Sequence, residues 1–119
     1  MSNICVVGVY VNDLAAAKQF YCDVLGFEVE QEFGDCIVQL KNNGVPFILQ
    51  KIENGYPENT THVLNISVGN LMDRMKELRG KGVEFLHSEP QACPVGIYAG
   101  LKDPEGNLLE LLEFQGAPQ

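Results

Sequence analysis

Val9-Tyr10-Val11-Asn12-Asp13-Leu14 returns later in the chain as Ile66-Ser67-Val68-Gly69-Asn70-Leu71, and each copy runs on into a helix-like stretch and a glycine. Val9 and Ile66, Val11 and Val68, Asp13 and Asn70, and Leu14 and Leu71 all stand 57 positions apart. One such match is cheap, but four in register mark a duplicated supersecondary unit. The copies continue as Leu25-Gly26-Phe27-Glu28-Val29 and Lys81-Gly82-Val83-Glu84-Phe85, where the offset falls to 56, so the second helix is one residue shorter.

Working outward from the first copy, Ile4 to Val11 alternates Val7, Val9 and Val11 with Gly8 and Tyr10, the period of a strand. Asp13 is placed to cap a helix by accepting hydrogen bonds from first-turn amides. Leu14, Ala17, Phe20, Tyr21, Val24 and Leu25 fall on one helical stripe. Gly26 stops that helix in the left-handed conformation glycine tolerates. Strands are expected over Phe27 to Phe33, Cys36 to Leu40 and Pro46 to Ile52, with Lys41-Asn42-Asn43-Gly44 turning between the last two.

The second copy predicts a strand over His62 to Val68, Asn70 as cap, and a helix to about Arg79 whose apolar face is Leu71, Met72, Met75 and Leu78. A methionine stripe at that spacing is read as core. Gly82 stops the helix, Val83 to His87 reads as a strand, and Ser88 to Pro94 as a loop. Gly96 to Lys102 and Asn107 to Phe114 then form a hairpin around Asp103-Pro104-Glu105-Gly106-Asn107. The order is βαβββ twice. Module 1 covers about residues 1–53, a polar linker 54–60, and module 2 about 61–115, inside one domain of 119 residues.

Composition narrows the function classes. With 45% hydrophobic and 20% charged residues the chain reads as a soluble globular fold. No apolar run approaches the roughly 18 residues of a membrane span, and Met1-Ser2-Asn3 lacks the basic start of a secretory signal, so cytoplasmic placement is expected. Acidic side chains outnumber basic ones 16 to 8, for a net charge of −8 with no basic cluster, which argues against nucleic acid as a partner. Cys5, Cys22, Cys36 and Cys93 form no C-x-x-C pair and are read as reduced and structural, with Cys93, beside Pro94, the one to test as reactive.

A strand, a capped helix ending in Phe20-Tyr21, then Leu25-Gly26-Phe27, duplicated and closed by Asp103-Pro104-Glu105-Gly106-Asn107-Leu108-Leu109-Glu110-Leu111, resembles the vicinal oxygen chelate superfamily. That group includes glyoxalase I, bleomycin-resistance proteins, fosfomycin-resistance enzymes and extradiol dioxygenases. The resemblance spans essentially the whole chain. It implies an α+β fold of two tandem βαβββ modules forming curved mixed sheets around a ligand cleft, and a homodimer.

Metal-dependent members place ligands near the start of the first strand and, often as glutamate, on the last strand of each module. Imidazole and carboxylate suit this because they bind a divalent cation and leave positions open for a substrate with two adjacent oxygens. Seven residues before Asp13 stands Val6, and seven before Asn70 stands Val63; neither binds a metal. His62 is adjacent to Val63, but on a strand a shift of one residue turns the side chain to the other face. Glu110, four residues after Gly106, matches the family's glutamate, and its counterpart four residues after Gly44 is Ile48. Gln50 lies two further along on the same face. A metal, if one binds, would have Glu110, Gln50 and His62 as its candidates, and no cofactor is the expectation.

Glu110 sits among Leu108, Leu109, Leu111 and Leu112, where partial desolvation raises a carboxyl pKa unless it is paired. Ligand contact or catalysis is set ahead of a purely structural role. Tyr10, Gln50 and Tyr98 join Glu110 as candidate ligand-binding residues, with Gln39 and Asn65 also on strands. Phe33, Phe47 and Phe85 offer stacking surface. His87 reads as exposed.

Three functions follow. The first is a metal-independent protein that binds or sequesters a small molecule, of the bleomycin-resistance kind. The second is a metal-dependent lyase or isomerase of the glyoxalase I type. The third is a metal-free isomerase with Glu110 as base and Tyr98 or Tyr10 donating to an oxyanion, which suits epimerisation beside a carbonyl.

Overall fold

The computed structural model of the chain describes residues 3–52, 56 and 61–115. They fall into two compact units, one within Cys5–Val63 and one that joins Leu64 onward to the chain's first residues. Apart from Tyr56, the linker expected over 54–60 lies outside the described residues.

In the first unit β1 (Asn3–Val11) leads through Asp13 into α1 (Leu14–Gln19). The Asp13 carboxylate accepts from the Ala16 amide at 3.0 Å, the cap its position predicts. The helix does not continue in α form to Gly26 as the stripe predicts. It widens into a π-helical turn, Phe20–Val24, in which Leu25 N–H reaches back to the Phe20 carbonyl. Gly26 then takes φ 87° and ends it. β2 (Val29–Phe33), β3 (Ile37–Leu40) and β4 (Phe47–Lys51) follow. The strands are ordered β2-β3-β4-β1, antiparallel except for the parallel pair β1 and β4.

Strand alternation divides that sheet into two faces. Val38, Leu40 and Leu49 are buried against Val9, Leu14, Ala17, Tyr21, Phe27 and Phe47, the face that carries the helix. Phe47 therefore does not offer stacking surface to a ligand. Its ring meets Tyr21 edge-on at 5.6 Å and Phe27 at 5.5 Å, because position 47 shares its parity with Leu49. The opposite face carries Gly8 and Tyr10 on β1, Ile48 and Gln50 on β4, and Ile37 and Gln39 on β3.

The second unit repeats the plan. β5 (His62–Ser67) leads to α2 (Leu71–Gly80), capped by Asn70, whose side chain accepts from the Asp73 amide. A carboxylate also closes the same helix start: Glu113 accepts from Leu71 N–H at 2.7 Å. β6 (Gln91–Cys93), β7 (Gly96–Lys102) and β8 (Leu108–Phe114) complete the order β6-β7-β8-β5, with β5 parallel to β8. Leu71 and Met75 from the helix pack on Ala99, Leu101 and Leu111.

The third segment of this module differs from expectation. Val83 to His87 makes no strand; only Phe85 forms a bridge, to Leu101. The pairing edge beyond β7 is instead taken by Gln91–Cys93, read as loop, which the tight turn at Pro94-Val95 folds back on β7. Phe85 packs toward the core with the Arg79 guanidinium 5.3 Å above its ring, so it too is no stacking platform.

Candidate functional site

Strand register fixes which positions of the two units correspond. Gly8 pairs with Ile48 on β1 and β4, and Asn65 pairs with Glu110 on β5 and β8. Gly8 and Asn65 are equivalent in the repeat, so Ile48, not Gln50, is the structural counterpart of Glu110. Gln50 pairs with Tyr10, one row further along the same face. Its counterpart in the second unit is Leu112, beside Ser67.

Two sequence candidates thus come together in the first unit. Tyr10, 4% exposed, lies next to Gln50 on the face away from α1, and its ring meets that of Tyr56 edge-on at 5.3 Å. Gly8 sits two residues before it. A Cβ on Gly8 would stand 3.0 Å from Val63 Cγ1 and 3.2 Å from Ile48 Cγ1. The two hydrocarbon side chains therefore close over the bare backbone of Gly8.

In the second unit, Glu110 is 4% exposed and Asn65 likewise. Asn65, Glu110 and Gly100 form one row across β5, β8 and β7, on the face away from α2. Tyr98 stands in the adjacent row, opposite Leu112 and two residues from Gly100. A carboxylate, an amide and a phenol, all buried, are therefore gathered on one sheet face. Such a set accepts and donates hydrogen bonds to a neutral or carbonyl-bearing molecule.

His87 was not readable as part of this group, and the structure places it there. It is half-buried rather than exposed: its ring meets Tyr98 edge-on at 5.6 Å, and its Nδ1 accepts from Gly100 N–H at 3.0 Å. A ring nitrogen that accepts carries no proton, so this bond requires an imidazole with Nδ1 bare. His62 lies apart from these contacts. It is exposed, with Nδ1 3.2 Å from Thr61 Oγ1, and strand alternation turns it to the face opposite Val63 and Asn65.

The positions at which the fold would supply metal donors can be judged by chemistry. Val6, Ile48 and Val63 have no lone pair to give, and Glu110 alone has oxygen. Among the described residues, no three of His, Cys, Asp and Glu gather closely enough to hold an ion. This donor set does not fit a divalent cation.

A repeated βαβββ unit with a glutamate on its final strand defines a class of α+β proteins built from paired modules. Within it, the chain belongs to the Glyoxalase/Bleomycin resistance protein/Dioxygenase superfamily, whose model matches residues 3–111. A superfamily member from Vibrio splendidus is 23% identical with TM-score 0.65, over 95% of this chain and 99% of that one. A hypothetical protein from Bacillus halodurans is 17% identical with TM-score 0.73, over 99% and 98%. Methylmalonyl-CoA epimerase from Mycobacterium tuberculosis is 23% identical with TM-score 0.70, over 97% and 88%. At these identities the likeness is one of fold. Among curated proteins no match is found.

Proposed function

We propose that this chain binds a small organic molecule on the sheet faces away from its helices, without a metal. One observation carries the reading: hydrocarbon side chains occupy three of the four donor positions, and two of them, Ile48 and Val63, pack over Gly8. Each unit offers polar contacts on that face of its own sheet: Tyr10 with Gln50 in one, and Tyr98 with Glu110 and Asn65 in the other. Two copies associate, since β2 and β6 each end a row of strands with an unpaired edge. Cytoplasmic placement without a membrane partner completes the proposal, and the acidic balance of the chain argues against nucleic acid. No helix among the described residues is long and apolar enough to cross a membrane.

Elemental analysis of protein purified without chelator tests this. The expected content of Ni, Zn, Mn and Fe is far below stoichiometric. A full equivalent of one of them, lost in Glu110→Ala, overturns the reading in favour of a metal-dependent lyase or isomerase.

A second reading rests on the burial of Glu110 beside Asn65 and near Tyr98. A carboxylate shielded from water is suited to remove a proton next to a carbonyl, with the phenol donating to the oxyanion that develops. The epimerase likeness supplies the substrate to try first. Deuterium from solvent should enter methylmalonyl-CoA in the presence of the protein and not of Glu110→Gln; equal exchange in both removes Glu110 as base.

A further inference from the structure

Gly100 lies in the middle of β7 with β8 on one side, yet both of its backbone groups point the other way. Its carbonyl accepts from Leu86 N–H at 2.7 Å, and its N–H donates to His87 Nδ1 at 3.0 Å. Gly100 and Glu110 are thus a pair with no hydrogen bonds between them, the closer of the two antiparallel pair types. In an ordinary sheet the next strand would supply both partners. Here the segment after α2 supplies one backbone amide, and the imidazole of His87 stands where a backbone carbonyl would.

Other ties also hold this strap, whose Val83 and Phe85 pack on the core. Phe85 bridges Leu101, and the Arg79 guanidinium sits over Phe85 and donates to the Ser88 carbonyl at 2.7 Å. Both lie on the flanks of His87. Among the described residues, the acceptor that the strap offers the Gly100 N–H is the His87 ring.

We propose that His87 is a positioning residue that works as a proton-sensitive latch: with Nδ1 bare it pins the strap to Gly100 and sets the ring of Tyr98, and once protonated it lets go. The physical reason is that protonated imidazole has two N–H donors and no acceptor, so it faces the Gly100 N–H with a second donor. Histidine is the side chain whose ordinary titration, about pH 6.5, falls in the physiological range. Tyr98 meets its ring, and the neighbouring elements carry Lys102 on β7, Glu110 on β8, Gln91 on β6, Arg79 on α2, and Glu84 and Glu89 on the strap itself. The consequence for ligand binding rests on the reading of the Tyr98–Glu110 face given above; the latch itself does not.

Amide hydrogen exchange at Gly100, corrected for its intrinsic rate and followed from pH 8 to pH 5, tests the latch without any ligand. In the one-proton limit, protection should be level on the alkaline side and then fall by about tenfold for each unit of pH below the titration. The Ala99 amide, on the β8 side of the strand, should not follow. His87→Asn keeps an acceptor near the place of Nδ1 and does not titrate, so its Gly100 amide should stay protected across the range; His87→Phe should lose protection throughout. Nitrogen-15 shifts of the His87 ring should show a bare Nδ1 and a protonated Nε2 on the alkaline side, a readout of the wild-type protein alone. The proposal is overturned if wild-type protection is level to pH 5, if His87→Asn keeps the wild-type slope, if Ala99 falls with Gly100, or if Nδ1 carries the proton. A metal found at Glu110 would sink the ligand reading and leave these outcomes unchanged.

Discussion

Gly8→Ala probes the place where Val63 and Ile48 stand against the backbone of β1. A glycine in a strand interior costs roughly 0.5–1 kcal/mol relative to alanine, so at an unobstructed site the substitution would stabilise. Gly8 is not among the glycines with positive φ, so an alanine there is not strained by its backbone. The new methyl would stand 3.0 Å from Val63 Cγ1 and 3.2 Å from Ile48 Cγ1, whereas comfortable carbon contacts begin near about 3.5 Å. Val63 is 1% exposed and has no room to withdraw. Overpacking of this kind costs about 1–3 kcal/mol, which outweighs the backbone gain and leaves a net loss of about 1 kcal/mol.

In a Val63→Ala background the nearer obstruction is gone. Gly8→Ala should then be neutral or stabilising by up to about 0.5 kcal/mol, for a coupling of about 1–1.5 kcal/mol between the two sites. Urea unfolding of the wild type, both single variants and the double variant closes the cycle. Additivity within the usual error, or a Gly8→Ala variant more stable than wild type, would refute the packing of Val63 and Ile48 over Gly8 and with it the physical case against a metal.

Met75→Ala removes a side chain that is 1% exposed at the contact of α2 with Ala99, Leu101 and Leu111, and should cost about 2–5 kcal/mol by the same unfolding measurement. The Leu71 amide and the Gln115 side chain hold the Glu113 carboxyl below its ordinary range. The folded chain therefore binds that proton less readily than the unfolded chain. The resulting stability is present above the unfolded value, about 4.3, and is lost as pH falls toward the lower folded value. Glu113→Gln should flatten the acid limb of a stability–pH profile, by less than about 1 kcal/mol because the group is partly solvated. Burial pushes the Cys5 thiol up, and Cys36 is the exposed cysteine. Peptide mapping after brief alkylation at neutral pH should find Cys36 modified first and Cys5 last.

The duplicated motif was legible because each copy carries complete local chemistry. A cap at Asp13 or Asn70, an apolar stripe, and a glycine stop each act within a few residues, and period-two alternation assigns faces to strands. Counting four residues on from Gly44 and Gly106 made Ile48 the counterpart of Glu110, and the parallel pairs Gly8–Ile48 and Asn65–Glu110 agree. The remainder depends on contacts distant in sequence. His87 stands in for a backbone acceptor to a glycine 13 residues away, and no periodicity signals that. Gln91–Cys93 is too short to read as a strand until β7 is there to pair with it. Phe47 and Phe85 looked available for stacking because an aromatic side chain alone does not say which face it joins. The widening of the first helix at Phe20–Val24 has no single residue that announces it.

The most direct test of the account is anomalous diffraction from crystals of protein purified without chelator, recorded at the absorption edges of Ni, Zn and Fe. No anomalous peak is expected beside the Glu110 carboxylate, and water or an organic molecule should be in contact with Glu110, Asn65 and Tyr98. A peak about 2.0–2.2 Å from a Glu110 oxygen, with further nitrogen or oxygen donors completing its shell, would contradict it.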